Sequence, residues 1–527
     1  MNQLMLRSLT LGVTALLSSS ILLAQKLPGT ADSTFHTNGY GVYSFGDKSA
    51  QAVKGVIDKN GQLIVMGGSL NAQFKWDVGL SRYQMNGSED MSFRMNAGPS
   101  HIDFNNLNSD FVHAIAKTQN GDIIAAGGFT GPNGADLMVA KFNQDGIVQI
   151  NFGLNGVFKM EVDPGYEVAT DILEDKDGKI VILGNIPATQ KKMFVLRLNP
   201  NGVLDSTFDK DGILLLNPQN LNNLPVALLE RPEGGYYVIC NTTGNGESLV
   251  TIHSVSKNGN TNIDLGGTGE VSLKIDGKGT TATDAYYFNR SIFICGTYNG
   301  PQNNADGFLA RLELDGTWNS AFAGTGFARI LHDLSNPYDE LTSDLCIAPD
   351  SSIFLATVSA TTDTATLIIS RYKSDGNVEG LYGNSNGKHQ IRSIEGFVLD
   401  FSIDDVVLDT GSRRLYLLGN QSNPVSNGFF IYATYTGGFK EGNNGGGTGL
   451  NSPSGQINVF PNPANNHLHI DGLKSESVNV KIYNLQGSLV LTVNSLDMEV
   501  NSLQNGIYIL RAQEGNILHT TKFLIQH

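Results

Sequence analysis

One phrase recurs seven times along this chain, and it constrains the fold more than any other feature. A Gly is followed by Asp or a polar stand-in, then usually an aromatic, then a second Gly. The first copy is Gly29, Asp32, Phe35 and Gly39. The others begin at Gly87, Gly146, Gly202, Gly259, Gly316 and Gly376, in steps of 58, 59, 56, 57, 57 and 60 residues. A fixed period of this length is the signature of a repeat architecture. Repeats describe a scaffold, and function has to be sought in sites added to it.

Each unit reads as four strands, here A to D. In the first, Gln51 to Ile57 alternates like a strand, Asn60-Gly61 is a strong hairpin signal, and Leu63 to Met66 is a short apolar strand. Val78 to Tyr83 is the third strand, Asn86-Gly87 turns the chain, and a fourth strand follows the phrase. Later units repeat this, and no segment has helical periodicity. Seven such units predict a seven-bladed β-propeller, and the fold class is all-β. Within the phrase, Gly supplies positive φ and Asp or Asn can close an Asx-turn. The aromatic (Phe35, Phe93, Phe152, Phe208, Phe322 or Tyr382, with Leu265 the exception) is expected to pack between sheets.

Chain order predicts how the ring closes. The first phrase and a D-type strand, Gly41 to Phe45, precede the first A strand, whereas the last unit stops after strand C near Gly438. The N-terminal strand is therefore expected to complete the seventh blade and cover an otherwise unpaired edge.

The chain has 527 residues, too many for one core, and 61 glycines, as many tight turns require. Its formal charge of −15 argues against nucleic acid as a partner. Arg7 followed by the mostly apolar stretch Leu9 to Ala24 reads as a cleaved signal peptide, residues 1–24. No other segment is apolar enough to span a bilayer, so no membrane span is expected in the mature chain. Cys240, Cys295 and Cys346 sit in apolar strand patterns and read as buried free thiols.

The propeller is assigned to residues 25–438 and a Gly/Asn-rich linker to 439–455, where Gly442 to Gly449 is flexible by composition. Residues 456–527 contain several strands and read as a small C-terminal β-sandwich.

That tail resembles the C-terminal sorting domain of type IX secretion in Bacteroidetes (the Por secretion tail). The matching motifs are Val459 to Pro463, Val480 to Gly487, Leu503 to Leu510 and Lys522 to Ile525, with Pro461, Asn462, Pro463, Gly487, Gly506, Tyr508 and Lys522 as the sorting-motif residues. The resemblance implies engagement of the type IX machinery and export, then release or attachment to the outer surface. The repeat body resembles the delta-60 repeat family, with Leu204-Asp205-Ser206-Thr207-Phe208 its closest copy. That resemblance supports a propeller and implies no particular activity.

Motifs that might carry chemistry resolve into turns. Gly383 to Gly387 matches the G-x-S-x-G nucleophile elbow but lies inside the seventh phrase with no helix after it. Gly277 to Ala282 resembles a dinucleotide loop but leads into a strand, whereas phosphate binding uses a helix N-terminus. Asp175 to Gly178 and Asp209 to Gly212 hint at calcium without the spacing of an EF-hand loop. His467 and His469 alternate on one strand. Asp32-Ser33-Thr34, Asp205-Ser206-Thr207 and Asp363-Thr364-Ala365 resemble the O-glycosylation sequon of Bacteroidetes. No cofactor, metal set or catalytic constellation is read.

Loop lengths break the symmetry. The D–A and B–C loops vary, and with strand A innermost they share one face, which is the expected binding face. Trp76, Tyr166, Tyr298 and Tyr338 lie on these loops and could stack on a sugar or anchor a protein. The favoured expectation is a secreted or surface-attached, non-catalytic binding module for an extracellular glycan or protein. An extracellular hydrolase or lyase at the channel mouth would instead need convergence among Asp163, Glu167, His332, Asp333 and Asp339. A structural surface or matrix component is the third possibility.

Overall fold

The computed structural model describes two stretches of the chain. The first is residues 28–437, apart from 37, 46–48, 97–100, 105–107, 132–133, 163–165, 187–191, 217–220, 245, 301–303, 332–338, 361–364, 384–386, 392–400 and 422–427. The second is residues 458–525, apart from 461–463, 472–478, 485–488 and 515–516. The expected signal peptide and linker lie outside the described residues. Contacts divide the chain into two units, Met1–Gly442 and Asn443–His527.

The first unit contains seven four-stranded antiparallel sheets. Strand β1 (Tyr40–Tyr43) comes first in the chain. Blade 1 is β2 (Ser49–Ile57), β3 (Leu63–Leu70), β4 (Trp76–Tyr83) and β5 (His101–Ile102). Blade 2 is β6 (Asp110–Lys117), β7 (Ile123–Thr130), β8 (Ala135–Phe142) and β9 (Val157–Met160). Blade 3 is β10 (Val168–Glu174), β11 (Ile180–Ile186), β12 (Lys192–Leu198) and β13 (Ile213–Leu216). Blade 4 is β14 (Asn222–Glu230), β15 (Tyr236–Gly244), β16 (Glu247–Val255) and β17 (Glu270–Leu273). Blade 5 is β18 (Thr280–Phe288), β19 (Ser291–Asn299), β20 (Ala305–Glu313) and β21 (Phe327–Ile330). Blade 6 is β22 (Asp339–Ile347), β23 (Ile353–Ala360), β24 (Ala365–Tyr372) and β25 (Lys388–Ile391).

Blade 7 supplies only three strands in sequence, β26 (Phe401–Asp409), β27 (Arg414–Gln421) and β28 (Phe429–Tyr435), and β1 adds the fourth. Tyr40 pairs with Tyr432 and Tyr43 with Phe429, so the edge of β28 is covered as the chain order predicts. The innermost strands β2, β6, β10, β14, β18, β22 and β26 touch one another in order around a closed circle.

The second and third strands of each blade are β-branched and apolar because adjacent blades bury both their faces. Ile180 to Leu183 and Met193 to Leu196 are almost completely buried. The interblade layers form separate apolar clusters, with residues of neighbouring blades in each.

The repeated phrase has a physical account. Asp32, Asp90 and Asp205, with Asn262 and Asn319, each accept a hydrogen bond from the amide two residues on, at 2.9–3.2 Å. The next large side chain turns inward: Phe35, Phe93, Phe152, Phe208, Leu265, Phe322 and Tyr382 are all buried. The residue after each of these has positive φ, and its amide donates to a carbonyl in the corresponding turn of the next blade. The seven bonds are His36 to Asn86, Arg94 to Asp145, Gly153 to Asn201, Asp209 to Asn258, Gly266 to Asp315, Ala323 to Asp375 and Gly383 to Pro28, at 2.7–3.0 Å. They make a closed ring around one end of the propeller, and satisfying that bond is what requires the left-handed backbone.

The second unit is built separately. Strands β29 (Asn458–Phe460), β30 (His467–Asp471) and β33 (Asp497–Glu499) form one sheet. Strands β31 (Asn479–Asn484), β32 (Leu489–Val493), β34 (Gly506–Glu514) and β35 (Ile517–Ile525) form the other. Leu468 and Ile470 of the first sheet share one buried core with Ile482, Leu510, Phe523 and Ile525 of the second, which makes it a β-sandwich.

Candidate functional site

Each innermost strand carries one register break, at Ala52/Lys54, Val112/Ala114, Ala169/Asp171, Pro225/Ala227, Ala282/Asp284, Thr342/Asp344 and Ile403/Asp405. The break admits an extra residue and redirects the side chain after it. Opposite the first break, a Cβ on Gly67 would lie 1.8 Å from the Gln51 carbonyl oxygen, so that position has no room for a side chain. Four of the seven residues after the break are aspartates and one is Lys54.

These aspartates link neighbouring blades. Asp171 Oδ2 accepts from the Leu228 amide at 2.8 Å, Asp344 Oδ2 from Val406 at 2.6 Å and Asp405 Oδ2 from Gly55 at 2.7 Å. Asp284 Oδ2 takes the equivalent bond from Leu345 at 3.4 Å. Lys54 Nζ lies 3.7 Å from Asp405 Oδ1, with its side chain one-third exposed, 33%. Burial raises the pKa of all four carboxyls; for Asp405 it reaches about 7 despite the opposing pull of Lys54. Burial works against the Lys54 charge, but the four aspartates together outweigh it and raise its pKa. The throat of the propeller is therefore an acidic ring with one lysine, whose carboxylates already serve the backbone of the next blade.

A second acidic group lies where blades 1 and 2 meet, at the end opposite the ring of turn bonds. Asp77, Asp103 and Asp110 each place one carboxylate oxygen within 4.8 Å of the others. Asp110 and Asp77 are buried, and burial raises the Asp110 pKa to about 6. Trp76 precedes Asp77; its amide donates to Ser109 Oγ at 3.1 Å, and its ring covers Gly68.

The expected binding aromatics separate. Tyr166 is 47% exposed. Trp76 is half-buried beside the carboxylates. Tyr298, expected on the variable face, is instead 3% exposed, because it is still within β19, next to its last residue, and faces inward with its ring edge toward Phe327. It covers its own blade and offers no stacking surface. Tyr338 lies outside the described residues, as do Asp163, His332 and Asp333 of the catalytic alternative. Glu167 is buried, while exposed Asp339 accepts from the Ala305 amide at 2.8 Å.

Turn motifs keep their turn chemistry. Asp175 Oδ1 accepts from the Asp177 and Lys179 amides and Oδ2 from Tyr236 Oη at 2.7 Å, which leaves the hinted calcium loop committed to its own turn. Gly383 lies in the turn ring, and Ser385 is outside the described residues. The Thr34 and Thr207 hydroxyls are held by Asp32 and Asp205 of their own phrases. All three cysteines are buried free thiols. His469 Nδ1 lies 2.6 Å from Asp497 Oδ1.

Sequence reasoning missed both acidic groups. The throat had a signal: an Asp recurring at the same place in the innermost strand, at Asp171, Asp284, Asp344 and Asp405. The three-carboxylate group had none, since its members lie on three different strands or strand ends.

Residues 458–526 match the Secretion system C-terminal sorting domain. Residues 176–208 match the Domain of unknown function (DUF5122) beta-propeller. This is a β-propeller protein with a type IX sorting tail. The tail marks the propeller for export and for secretion or attachment at the outer surface. Of the sorting-motif residues, Gly506 opens β34, Tyr508 is buried with its hydroxyl donating to the Gln504 carbonyl at 2.8 Å, and Lys522 pairs with Ile509 in β35. Pro461, Asn462, Pro463 and Gly487 lie outside the described residues.

A search of the curated proteins finds no match to the sequence. Among solved structures, the propeller protein is similar to the extracellular domain of a hybrid two component system from B. thetaiotaomicron, at 12% identity and a TM-score of 0.38, covering 92% of this chain and 57% of that one. It is similar to the polysaccharide lyase PL25 ulvan lyase, at 12% identity and a TM-score of 0.42, covering 75% of this chain and 96% of that one. It is also similar to the β-propeller domain of the Trilobed protease from Pyrococcus furiosus, at 9% identity and a TM-score of 0.37, covering 74% and 99%. Among the described residues no helix is long and apolar enough to cross a membrane.

Proposed function

We propose that this protein is a non-catalytic binding module, taken out of the cell by its sorting tail, whose propeller engages an extracellular glycan or protein. We further infer a signal peptide at residues 1–24, a propeller spanning 25–438, a linker at 439–455 and a sorting domain at 456–527, in a delta-60 repeat protein of Bacteroidetes. The observation that carries the binding reading is the difference between the two ends of the propeller. One end is used up by seven equivalent turns bonded in a circle. The other bears unlike loops, with Tyr166 exposed on a D–A loop and Trp76 half-buried where a B–C loop enters β4. Variable loops on a rigid scaffold are where recognition is built. The aspartates of the throat are bonded to backbone amides, which favours a scaffolding role for them.

A glycan-array screen of the purified chain, repeated with Trp76→Ala and Tyr166→Ala, tests this. A selective hit weakened by either change supports a carbohydrate-binding face. A blank array overturns the glycan form and turns the search to protein partners by pulldown on cell-surface extract, or to a structural role. A hydrolase or lyase at the channel mouth is favoured by one observation, the neighbouring carboxyls Asp284, Asp344 and Asp405 with raised pKa. It requires that Asp344→Asn abolish a turnover that the parent chain displays.

A further inference from the structure

Three carboxylates meet at the junction of blades 1 and 2. Asp77 is the second residue of β4, Asp103 follows β5, and Asp110 opens β6. Asp110 is fully buried, at 0% exposure. Its Oδ2 accepts from the Phe104 amide at 2.7 Å, and its Oδ1, sealed from solvent, has no hydrogen-bond partner. A buried carboxylate oxygen without a donor is costly unless a cation faces it. The ammonium that acts on Asp110 is that of Lys159, which is exposed, donates to the Phe104 carbonyl at 3.0 Å and sits 4.4 Å over the Phe129 ring. Asp77 Oδ2 accepts from Asn71 Nδ2 at 3.0 Å, while Asp110 Oδ1 remains to be satisfied.

We propose that Asp77, Asp103 and Asp110 hold a hard divalent cation of the calcium class, beside Trp76 at the loop end of the propeller. The donor set is all oxygen, which suits calcium and magnesium and disfavours zinc. The three oxygens lie within 4.8 Å of one another, inside the span of one cation's oxygen shell, and three carboxylates from three strand ends suit the larger, more flexible shell of calcium better than the strict octahedron of magnesium. Water completes the coordination. The ion ties the strand end at Asp103 to β4 and β6, and so fixes the backbone that carries Trp76. The inference is independent of what the loop face binds.

Terbium luminescence tests it with the full chain, dialysed free of metal. Trp76 is adjacent to a ligand and serves as the sensitiser, and Trp318 is the only other tryptophan. Saturable terbium emission that calcium displaces is expected. It is lost in Asp110→Asn and strongly reduced in Trp76→Phe. In parallel, calcium at 100 times its dissociation constant shifts the folding equilibrium about 100-fold, seen as a raised melting temperature. That shift persists in Trp76→Phe and disappears in Asp110→Asn. Asp110→Asn removes a buried charge and is expected to keep its β-sheet circular dichroism; Asp77→Asn serves if it does not. Emission that survives Asp110→Asn or Trp76→Phe places the ion elsewhere on an acidic surface and overturns the proposal. So does a calcium-independent melt with no sensitised emission.

Discussion

Arg414 Nε donates to Asp32 Oδ2 at 2.5 Å across 382 residues, so the chain's first phrase is completed by its last blade. In blades 1 and 3 the phrase aspartate is met by an arginine eight residues earlier, Arg82 with Asp90 and Arg197 with Asp205. In blade 7 the arginine comes from β27 instead, and it also reaches the Met85 carbonyl of blade 1 and Thr34 Oγ1. Both partners are buried, at 9% and 0% exposure. Arg414→Met strands a buried carboxylate and is expected to cost ~3–5 kcal/mol in a denaturant melt. Adding Asp32→Asn should recover part of it. Deleting residues 25–46 removes β1 as well and exposes the edge of β28, so size-exclusion chromatography should show aggregation. A monomeric deletion variant with an unchanged melt would sink the closure account.

Ala323 stores strain that the glycines at three of the six equivalent places avoid. It holds φ at 50°, whereas Gly153, Gly266 and Gly383 occupy the equivalent place at no steric cost. Ala323→Gly is expected to stabilise by about 0.5–1 kcal/mol once the extra freedom of glycine in the unfolded chain is subtracted. Gly383→Ala should act in the opposite sense and more strongly, since its Cβ would meet the Lys388 carbonyl oxygen at 1.9 Å. Equal melts for both variants would refute the strain.

The repeat period made the fold legible because every blade solves the same local problem, burying an aromatic and turning the chain at Phe35, Phe93 or Phe208. Closure by β1 was legible for a related reason: the phrase count exceeds the completed blades at the C-terminal end. Side-chain direction was not. Tyr298 reads as a loop residue from its neighbours Thr297 and Asn299, yet strand β19 runs on through Asn299, and the alternation along it turns the Tyr298 ring inward. The meeting of Asp77 with Asp110 depends on how two blades pack, and no local spacing encodes that.

Phe208 gives the most direct test of the interblade packing. It is fully buried, its ring edge meets Tyr236 at 6.0 Å, and the Arg197 guanidinium lies 4.8 Å over its face. It packs in one cluster with Val195 of blade 3 and Leu228 of blade 4. Phe208→Ala should therefore cost ~3–5 kcal/mol. A loss below about 1 kcal/mol would mean that the site collapses around the missing ring or that the blades are not held there.

The acidic throat predicts an unusual dependence of stability on pH. Folded Asp405, with a pKa of about 7, holds its proton more tightly than it does in the unfolded chain, where an aspartate titrates near 4. Asp344 is shifted in the same direction by burial and by Asp284. Such groups contribute stability that is complete at low pH and is lost as pH rises through the folded pKa. The imidazoles of His113, His253 and His389 are shifted down by desolvation and act in the opposite sense below about pH 7.5, where imidazoles of the unfolded chain begin to charge. The histidine contribution is common to the parent chain and to Asp405→Asn, so the difference between their melts isolates the throat. The melting temperature of the parent relative to Asp405→Asn should fall as pH is raised from about 6.5 to about 8. Asn keeps an oxygen for the Gly55 amide, so a loss of folding would not be the reason. A parent chain that gains on Asp405→Asn between about pH 6.5 and 8 would show that Lys54 holds the throat carboxyls ionised and that burial does not prevail.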